Sequence, residues 1–379
     1  MASTGRVALP PAVIVEHASK LFVAVRNHDL ALRRASINER RQVRRRSRFF
    51  QCYNFLMSRI SVGILRGGTS NEYNLSLKTG AAMLAALPEE QYQAHDILID
   101  KTGMWHLRGV PADASRVLSQ IDVVLNALHG GVGEDGTVHR ILERSGVPYA
   151  GSRALFSGSS LNKVRAREHF RQAGIPMPRG IAFNLANQMN TSEMAEVVFS
   201  QFSPPYVVKP VNEGASYGIV FAPTIIELPE RIGDVLDAYG AALVEEYLLG
   251  EEVHTGVIEN FRGEELYALP PIHTHRPAGA RFIESAHHEE GSLRHTVPSN
   301  FTDAEKQVIA DMARAAHKAL NLAHFSQANL ILTKHGPYLL EVDSTPHLYH
   351  GSAFPPALEA VGSSVREFLE HAIHLARGH

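Results

Sequence analysis

From Ile60 onward short β-like runs alternate with helix-like stretches, and glycine-rich loops follow several of the runs. "ISVGIL" leads through "RGGTSNEYN" into "LSLKTGAAMLAAL", whose Leu77, Ala81, Met83, Leu84 and Leu87 fall near helical spacing. "HDILID" (residues 95–100) and "IDVVLNAL" (121–128) read as further strands, the second followed by "HGGVGEDGT" and the helix "VHRILERSG". Strands separated by helices pair in parallel, because the helix carries the chain back to the end of the sheet where it started. The alternation predicts an α/β fold whose N-terminal part is a doubly wound parallel sheet, with ligand loops at the carboxyl ends of its strands.

A second unit begins near Gly151. "NKVRAREHFRQAG" (162–174) reads as a helix closed by Gly174, and "YVVKPVNEGASYGIVFA" as two strands joined by a Gly/Ser loop. A helix over 228–239 and the strand "AALVEEYL" follow. The polar stretch 273–299 has no periodicity, and a loop of that length in a compact enzyme reads as a mobile lid. Order resumes after Phe301: Thr302 and Glu305 form a capping box, and Val308, Ile309, Met312, Ala316 and Leu320 share one helical face. "QANLILTKHGPYLLEVDS" is a hairpin turning near 334–337, and residues 356–376 make a closing helix. The C-terminal half is thus of α+β character, in segments 57–151, 152–244 and 245–379.

With 379 residues, 44% of them hydrophobic, and no long apolar run, the chain has material for two or three cores and reads as soluble. Its one cysteine, Cys52, excludes internal disulfides and cysteine-based zinc sites, which fits a reducing compartment. Twenty-one histidines are scattered without a metal-binding spacing and read mostly as surface or supporting groups. Charge is uneven: residues 1–56 hold eleven Lys or Arg against three Asp or Glu, a net of +8 within a total of −2, so the remainder carries −10. That basic leader reads as disordered or as an upstream extension ahead of Met57, in preference to a nucleic-acid-binding arm or targeting segment. The acidic body argues against nucleic acid as a partner.

"YLLEVDSTPH" (338–347) reads as a buried strand that carries two acids. In an extended chain Glu341 and Asp343 share a face, with Leu340 and Val342 on the other. Adjacent buried carboxylates require a neighbouring cation or metal; an edge strand with its acids in water is the alternative. "VVKPVNEGASYG" places Lys209 at a strand end ahead of Gly214, Ser216 and Gly218, where amide N–H groups and an ammonium can meet phosphate. Downstream, Glu245, Glu246, Tyr247, Leu248 and Glu252 are candidates for adenine and ribose. Glu341 and Asp343, with Asn329 from the partner strand, have the oxygen chemistry of a Mg²⁺ (or Mn²⁺) site over nucleotide phosphates.

Five blocks in order, "GGTSNEYNLSL", "ALHGGVGEDGT", "GVPYAGS", "NKVRARE" and "VKPVNEGASYG", resemble the D-alanine–D-alanine ligases of the ATP-grasp superfamily, from about residue 57 to the C-terminus. The resemblance implies an ATP-grasp fold and an ATP-dependent carboxylate–amine ligase. Such an enzyme works through an acylphosphate to make a dipeptide for peptidoglycan precursors, as a cytoplasmic homodimer without membrane partners. It implies that Glu72 holds the first substrate's ammonium, His129 lies beside that substrate, Lys163 and Lys209 touch ATP phosphates, and Ser352 faces the second substrate's carboxylate. Ser216 and Gln327 stand at catalytic positions.

The departures are specific. Gln327 and Asn329 stand where the family carries Arg and Asp, Asp343 where it carries Asn, and Ala215 replaces a serine. No Tyr- and Lys-bearing lid motif is recognisable in 273–299, although Arg281 and Phe282 are candidates to stand in for it. The loss of Arg and Ser motivates a second reading, a non-catalytic or repurposed relative that binds nucleotide and an amino acid or ligates another pair.

Overall fold

A computed structural model describes residues 59–378; the expected basic leader lies outside them. The chain from Ile60 builds three sheets. The first contains β1 (Ile60–Gly67), β2 (Tyr92–Ile99), β3 (Trp105–Leu107), β4 (Val110–Pro111), β5 (Val123–Asn126) and β6 (Tyr149–Ala150), in the order β4-β3-β2-β1-β5-β6. As the alternation predicts, β2, β1, β5 and β6 pair in parallel. The short β3 and β4 add an antiparallel edge that no sequence signal announced.

Helices α1 (Tyr73–Ala86), α2 (Ala114–Leu118) and α3 (Thr137–Ser145) connect these strands. Both faces of the sheet are covered, so β1 buries Val62 and Ile64 on one side and Leu65 on the other. Burial on two sides is what makes a parallel strand read as a continuous apolar run.

After α4 (Ala154–Leu161) and α5 (Lys163–Gln172) comes a four-stranded antiparallel sheet. It comprises β7 (Gly180–Asn184), β8 (Tyr206–Pro210), β9 (Val220–Ala222) and β10 (Ala241–Glu246), in the order β7-β10-β8-β9. Helices α6 (Thr191–Gln201) and α7 (Leu228–Tyr239) pack Val198, Ile232 and Val235 onto Tyr206, Val208 and Val244. The expected boundary at 244/245 falls inside β10.

The third sheet holds β11 (Glu251–Phe261), β12 (Glu264–Ala268), β13 (Ile272–His275), β14 (Arg294–Thr296), β15 (Phe325–Thr333) and β16 (Gly336–Asp343). Its order is β14-β13-β11-β15-β16, with β12 on β11. The lid stretch is therefore not structureless: β13 and β14 pair in antiparallel fashion, and α8 (Ser285–Glu290) lies between them. Its polar composition hid strands that alternate partly buried and buried residues.

Helix α9 (Asp303–Ala319) covers this sheet and carries the expected capping box, with Glu305 N–H donating to Thr302 Oγ1 at 3.2 Å. Ile309, Met312 and Ala316 are buried as expected, whereas Val308 is exposed because it lies one position off the apolar stripe. The closing helix is two: α10 (Phe354–Ala360) and α11 (Val365–Arg377), separated by a turn at Gly362. Phe368, Leu369 and Ile373 of α11 pack back on the first sheet beside Met83 and Leu125, so the first and last described elements share one core.

Candidate active site

Loops and strands of the three sheets line a cleft, about 1350 Å³ counting its open mouth. Glu72, Lys163, Lys209, Ser216, Glu245, Glu246, Tyr247, Leu248, Glu252, Gln327, Asn329, Glu341 and Asp343 all line it, although their positions span most of the chain.

At one end, β8 and β10 are antiparallel neighbours with Lys209 opposite Leu243, so Lys209 and Glu245 lie diagonally on one face. Lys209 Nζ stands 2.5 Å from Glu245 Oε2, and Arg167 Nη1 of α5 stands 2.5 Å from Oε1. That carboxylate is only 2% exposed and fully engaged by two cations. Arg179 clamps Glu246 in the same way, with Nε and Nη2 donating to Oε2 at 2.8 and 2.6 Å. Tyr247 donates to the backbone oxygen of Arg281 at 2.7 Å, and the Arg281 guanidinium lies 4.4 Å above the Phe221 ring. The lid arginines thus close over this end. Burial pushes the Glu252 carboxyl up to about 7, against the pull of Arg276 and Lys209.

Midway, Lys163 begins α5, whose N-terminus is capped by Asn162. Its ammonium donates to the Glu213 backbone oxygen at 2.5 Å and pairs with Glu341 at 3.0 Å. Strand β16 pairs with β15 so that Asn329 faces Glu341 and Gln327 faces Asp343, with a register shift after Asn329 that leaves Leu340 without a partner. Asn329 Nδ2 donates to Asp343 Oδ2 at 2.9 Å, while Gln327 Nε2 donates to Asn329 Oδ1 at 3.0 Å. The paired acids share a face as their spacing requires, and the positive charge beside them is Lys163. Burial opposes ionisation of Glu341, but Lys163 and Lys209 hold its carboxyl down at about 2. Asp343 goes the other way, up to about 8, from burial and then from Glu341 beside it.

The far end is built at the carboxyl ends of β1 and β5, the crevice where the order of a doubly wound sheet reverses. Glu72 precedes α1, and a Cβ added at Gly130 or Gly214 would lie 2.5 or 2.6 Å from its Oε1, so glycine is needed where two loops close on the carboxylate. Gly130 also sits at φ 59°. Glu72 Oε1 is buried without a hydrogen-bond partner. Burial, then Glu213, pushes the Glu72 carboxyl up to about 8, and burial, then Glu72, does the same to Glu134. Tyr217 of the Gly/Ser loop donates to Glu289 of α8 at 2.5 Å, and Lys78 of α1 donates to the Glu289 backbone oxygen, so α8 is tied to both walls.

Two expected residues stand back from the cleft. His129 is buried behind it, with Nε2 2.8 Å from Thr79 Oγ1 and its ring 4.1 Å edge-on from His347. Ser352 Oγ donates to the backbone oxygens of His347 (2.8 Å) and Tyr349 (2.7 Å), which occupies the hydroxyl within its own loop. Sequence reading overlooked Glu134, Arg167, His254, His288 and His347. Glu134 lies inside the quoted "HGGVGEDGT" and His347 ends "YLLEVDSTPH", but position alone gave neither a role. The histidines also differ from a surface set: among the described ones, only His169, His335, His350 and His374 are exposed.

Two buried lysines and an acidic strand, in a cleft between two antiparallel sheets, match the architecture of the ATP-grasp ligases. Family models described as D-ala D-ala ligase C-terminus and N-terminus match residues 169–374 and 106–152. The chain belongs to the D-alanine–D-alanine ligase family. It is 30% identical over 320 residues to a D-alanine–D-alanine ligase of Desulforudis audaxviator, covering 83% of this chain and 98% of that one. A D-alanine–D-alanine ligase of Bacillus cytotoxicus is also 30% identical, over 353 residues, covering 84% and 96%. Among solved structures, a D-alanine–D-alanine ligase from Bacillus anthracis complexed with ATP superposes with a TM-score of 0.68 at 25% identity, covering 84% and 97%. The VanG D-Ala:D-Ser ligase of Enterococcus faecalis has the same fold, with a TM-score of 0.73 at 23% identity, covering 84% and 100%.

Proposed function

We propose that this ATP-dependent ligase joins two D-amino acids, D-alanine first among them, into a dipeptide for peptidoglycan precursor synthesis. The observation that carries the reading is the gathering of Lys163, Lys209, Glu252, Glu341 and Glu72 around one cleft, two ammonium groups along it and a buried carboxyl at its end. Lys163 and Lys209 hold the β- and γ-phosphates, assisted by the backbone N–H groups around Ser216. Residues 246–248 take the adenine edge, with Tyr247 flanking it, and Glu252 takes the ribose. Glu72 pairs with the first substrate's ammonium, which its buried, unpartnered Oε1 lacks in the protein itself.

One oxygen of that substrate's carboxylate attacks the γ-phosphorus, and the bond to the β–γ bridging oxygen breaks to give acylphosphate and ADP. The second substrate's neutral amine attacks the carbonyl carbon. The tetrahedral intermediate then expels phosphate with the C–O bonding pair, and the amine loses a proton to solvent or phosphate. The Gln327 amide faces this developing charge with a weaker donor than a guanidinium. The docked lid keeps water from the acylphosphate.

The donor chemistry fits a divalent cation. Glu341 and Asp343 bring carboxylate oxygens to one face, with Asn329 Nδ2 donating to Asp343 and Asn329 Oδ1 turned to Gln327 and His254, and burial beside Glu341 opposes ionisation of Asp343. Glu341 and Asp343 would hold Mg²⁺ or Mn²⁺, with the Asn329 oxygen joining them only once its amide turns over, and the ion when bound would neutralise phosphate charge. The resemblance also supports a cytoplasmic homodimer with small-molecule partners only; among the described residues no helix is long and apolar enough to cross a membrane.

The test is incubation with ATP, Mg²⁺ and a panel of D- and L-amino acids, scored by phosphate release and by the mass of the product. D-Alanyl-D-alanine as the main product supports the reading. ATP binding without turnover on any pair refutes it.

A further inference from the structure

The rim of the cleft on the Glu72 side is closed by one short helix. Helix α8 spans six residues, Ser285–Glu290, none of them buried, and ends at Gly291 with φ 64°. A helix of under two turns without a buried face does not hold itself together in water, so its place is set from outside. Glu289 is where that happens. Its Oε1 accepts from the Tyr217 hydroxyl at 2.5 Å, and its backbone oxygen accepts from the Lys78 ammonium. Tyr217 belongs to the loop between β8 and β9, and Lys78 lies on α1, which packs on the first sheet. One residue of the third sheet's lid is thus tied to parts of the other two sheets. The loop after β16 backs the same point: Lys78 Nζ lies 5.6 Å from the centre of the Tyr349 ring, and a Cβ added at Gly351 would lie 3.4 Å from the Gly291 backbone oxygen.

The tie to Tyr217 acts on a loop that needs holding. Ala215 and Ser216 sit at φ 44° and 61°, the left-handed region that L side chains avoid. Tyr217 N–H closes the turn on the Gly214 backbone oxygen at 3.0 Å, and Gly214 packs against Glu72. Because Tyr217 follows Ser216 directly, a hydroxyl fixed on Glu289 also fixes the N–H groups that the Gly/Ser loop offers to phosphate. Glu289 itself is exposed, so water competes for both ties. Contacts of that strength suit a lid that opens once in every turnover.

We infer that Tyr217, Glu289 and Lys78 form a latch of positioning residues that brings the Gly/Ser loop, the lid and α1 into the closed state together. Closed, the latch keeps water from the acylphosphate until the amine attacks. Open, water attacks in the amine's place, the C–O bond to phosphate breaks, and the free amino acid and phosphate leave with a proton released to solvent. The inference rests on the ligase reading above and names the side chains of this chain that hold its cleft shut.

The test uses the full-length protein with ATP, Mg²⁺ and D-alanine, and reads phosphate by colorimetry and dipeptide by mass spectrometry. Phosphate in excess of dipeptide counts the acylphosphate lost to water. Tyr217→Phe and Lys78→Met each remove one tie, and each should raise that excess per dipeptide about 3- to 10-fold over wild type, the value of one hydrogen bond open to solvent. Glu289→Gln keeps an acceptor for Tyr217 and should stay close to wild type, whereas Glu289→Ala should match Tyr217→Phe. A merely structural role would lower phosphate and dipeptide in proportion. An unchanged excess per dipeptide in either Tyr217→Phe or Lys78→Met therefore overturns the latch, while turnover by wild type leaves the ligase reading standing. Should wild type make no product from any amino-acid pair, the ligase reading fails and the latch falls with it.

Discussion

Replacing Glu245 with Gln separates two roles for that residue. Its carboxylate is almost sealed from solvent and sits 2.5 Å from both Lys209 Nζ and Arg167 Nη1, whose side chains are 8% and 16% exposed. The substitution keeps the shape and removes the charge, which leaves two cations in a low-dielectric setting with only a neutral oxygen between them. Breaking a buried pair from one side costs about 3–5 kcal/mol. Arg167 retains the Pro178 backbone oxygen at 2.6 Å and some solvent, so the lower part of that range applies, about 3 kcal/mol.

Urea unfolding without nucleotide measures the loss as a fall in midpoint at constant slope. Repeating it with saturating ATP adds a second reading. If Lys209 then meets phosphate, the deficit should shrink by at least 1 kcal/mol, about fivefold in apparent affinity. A variant that unfolds within about 0.5 kcal/mol of wild type in both conditions, the range of an ordinary surface substitution, would refute the account. If that variant also lost its preference for ATP over GTP, the carboxylate would instead be reading the base.

Glu72 gives a pH prediction. Its carboxyl is raised from 4.5 to about 8, so its contribution is fully present below about pH 4.5 and is lost as pH rises toward 8. Glu72→Gln should flatten the decline in stability across that window, seen in thermal melts without substrate, while ligase activity falls by at least about 100-fold. Gly130→Ala should lose both stability and turnover, because its Cβ would meet Glu72 Oε1 at 2.5 Å at a φ of 59°; a variant with wild-type kcat would contradict the crowding. Thr302→Ala removes the capping hydroxyl of α9, far from the cleft, and should cost about 1 kcal/mol in urea unfolding with kinetics unchanged.

Much of the fold was legible in the sequence because its signals are local. The parallel sheet follows from strands spaced by helices, the hairpin β15–β16 from two apolar runs around a turn, and the start of α9 from Thr302 and Glu305. Where the signal was weak, reading failed in ways the structure explains. β13 carries polar residues since it buries only one side, β14 has no buried residue, and the break after α10 rests on a turn that helical periodicity runs straight through. The spacing of Glu341 and Asp343 told that they share a face and need a cation; it could not tell that Lys163, almost 180 positions earlier, would be the one.

The amino-acid order by itself determined the parallel strands, the β15–β16 hairpin, the start of α9 and the motif blocks that carry the family resemblance, each of which depends on neighbours within one turn or one strand. Tertiary structure alone decided that Glu245 is clamped by Arg167 and Lys209, that Ser352 turns inward to its own loop, and that the His288 and His347 rings come within 6.2 Å of each other. Charge pairing, desolvation and carboxylate recognition act through space over a few ångströms, and those distances exist only once three sheets have closed on one cleft.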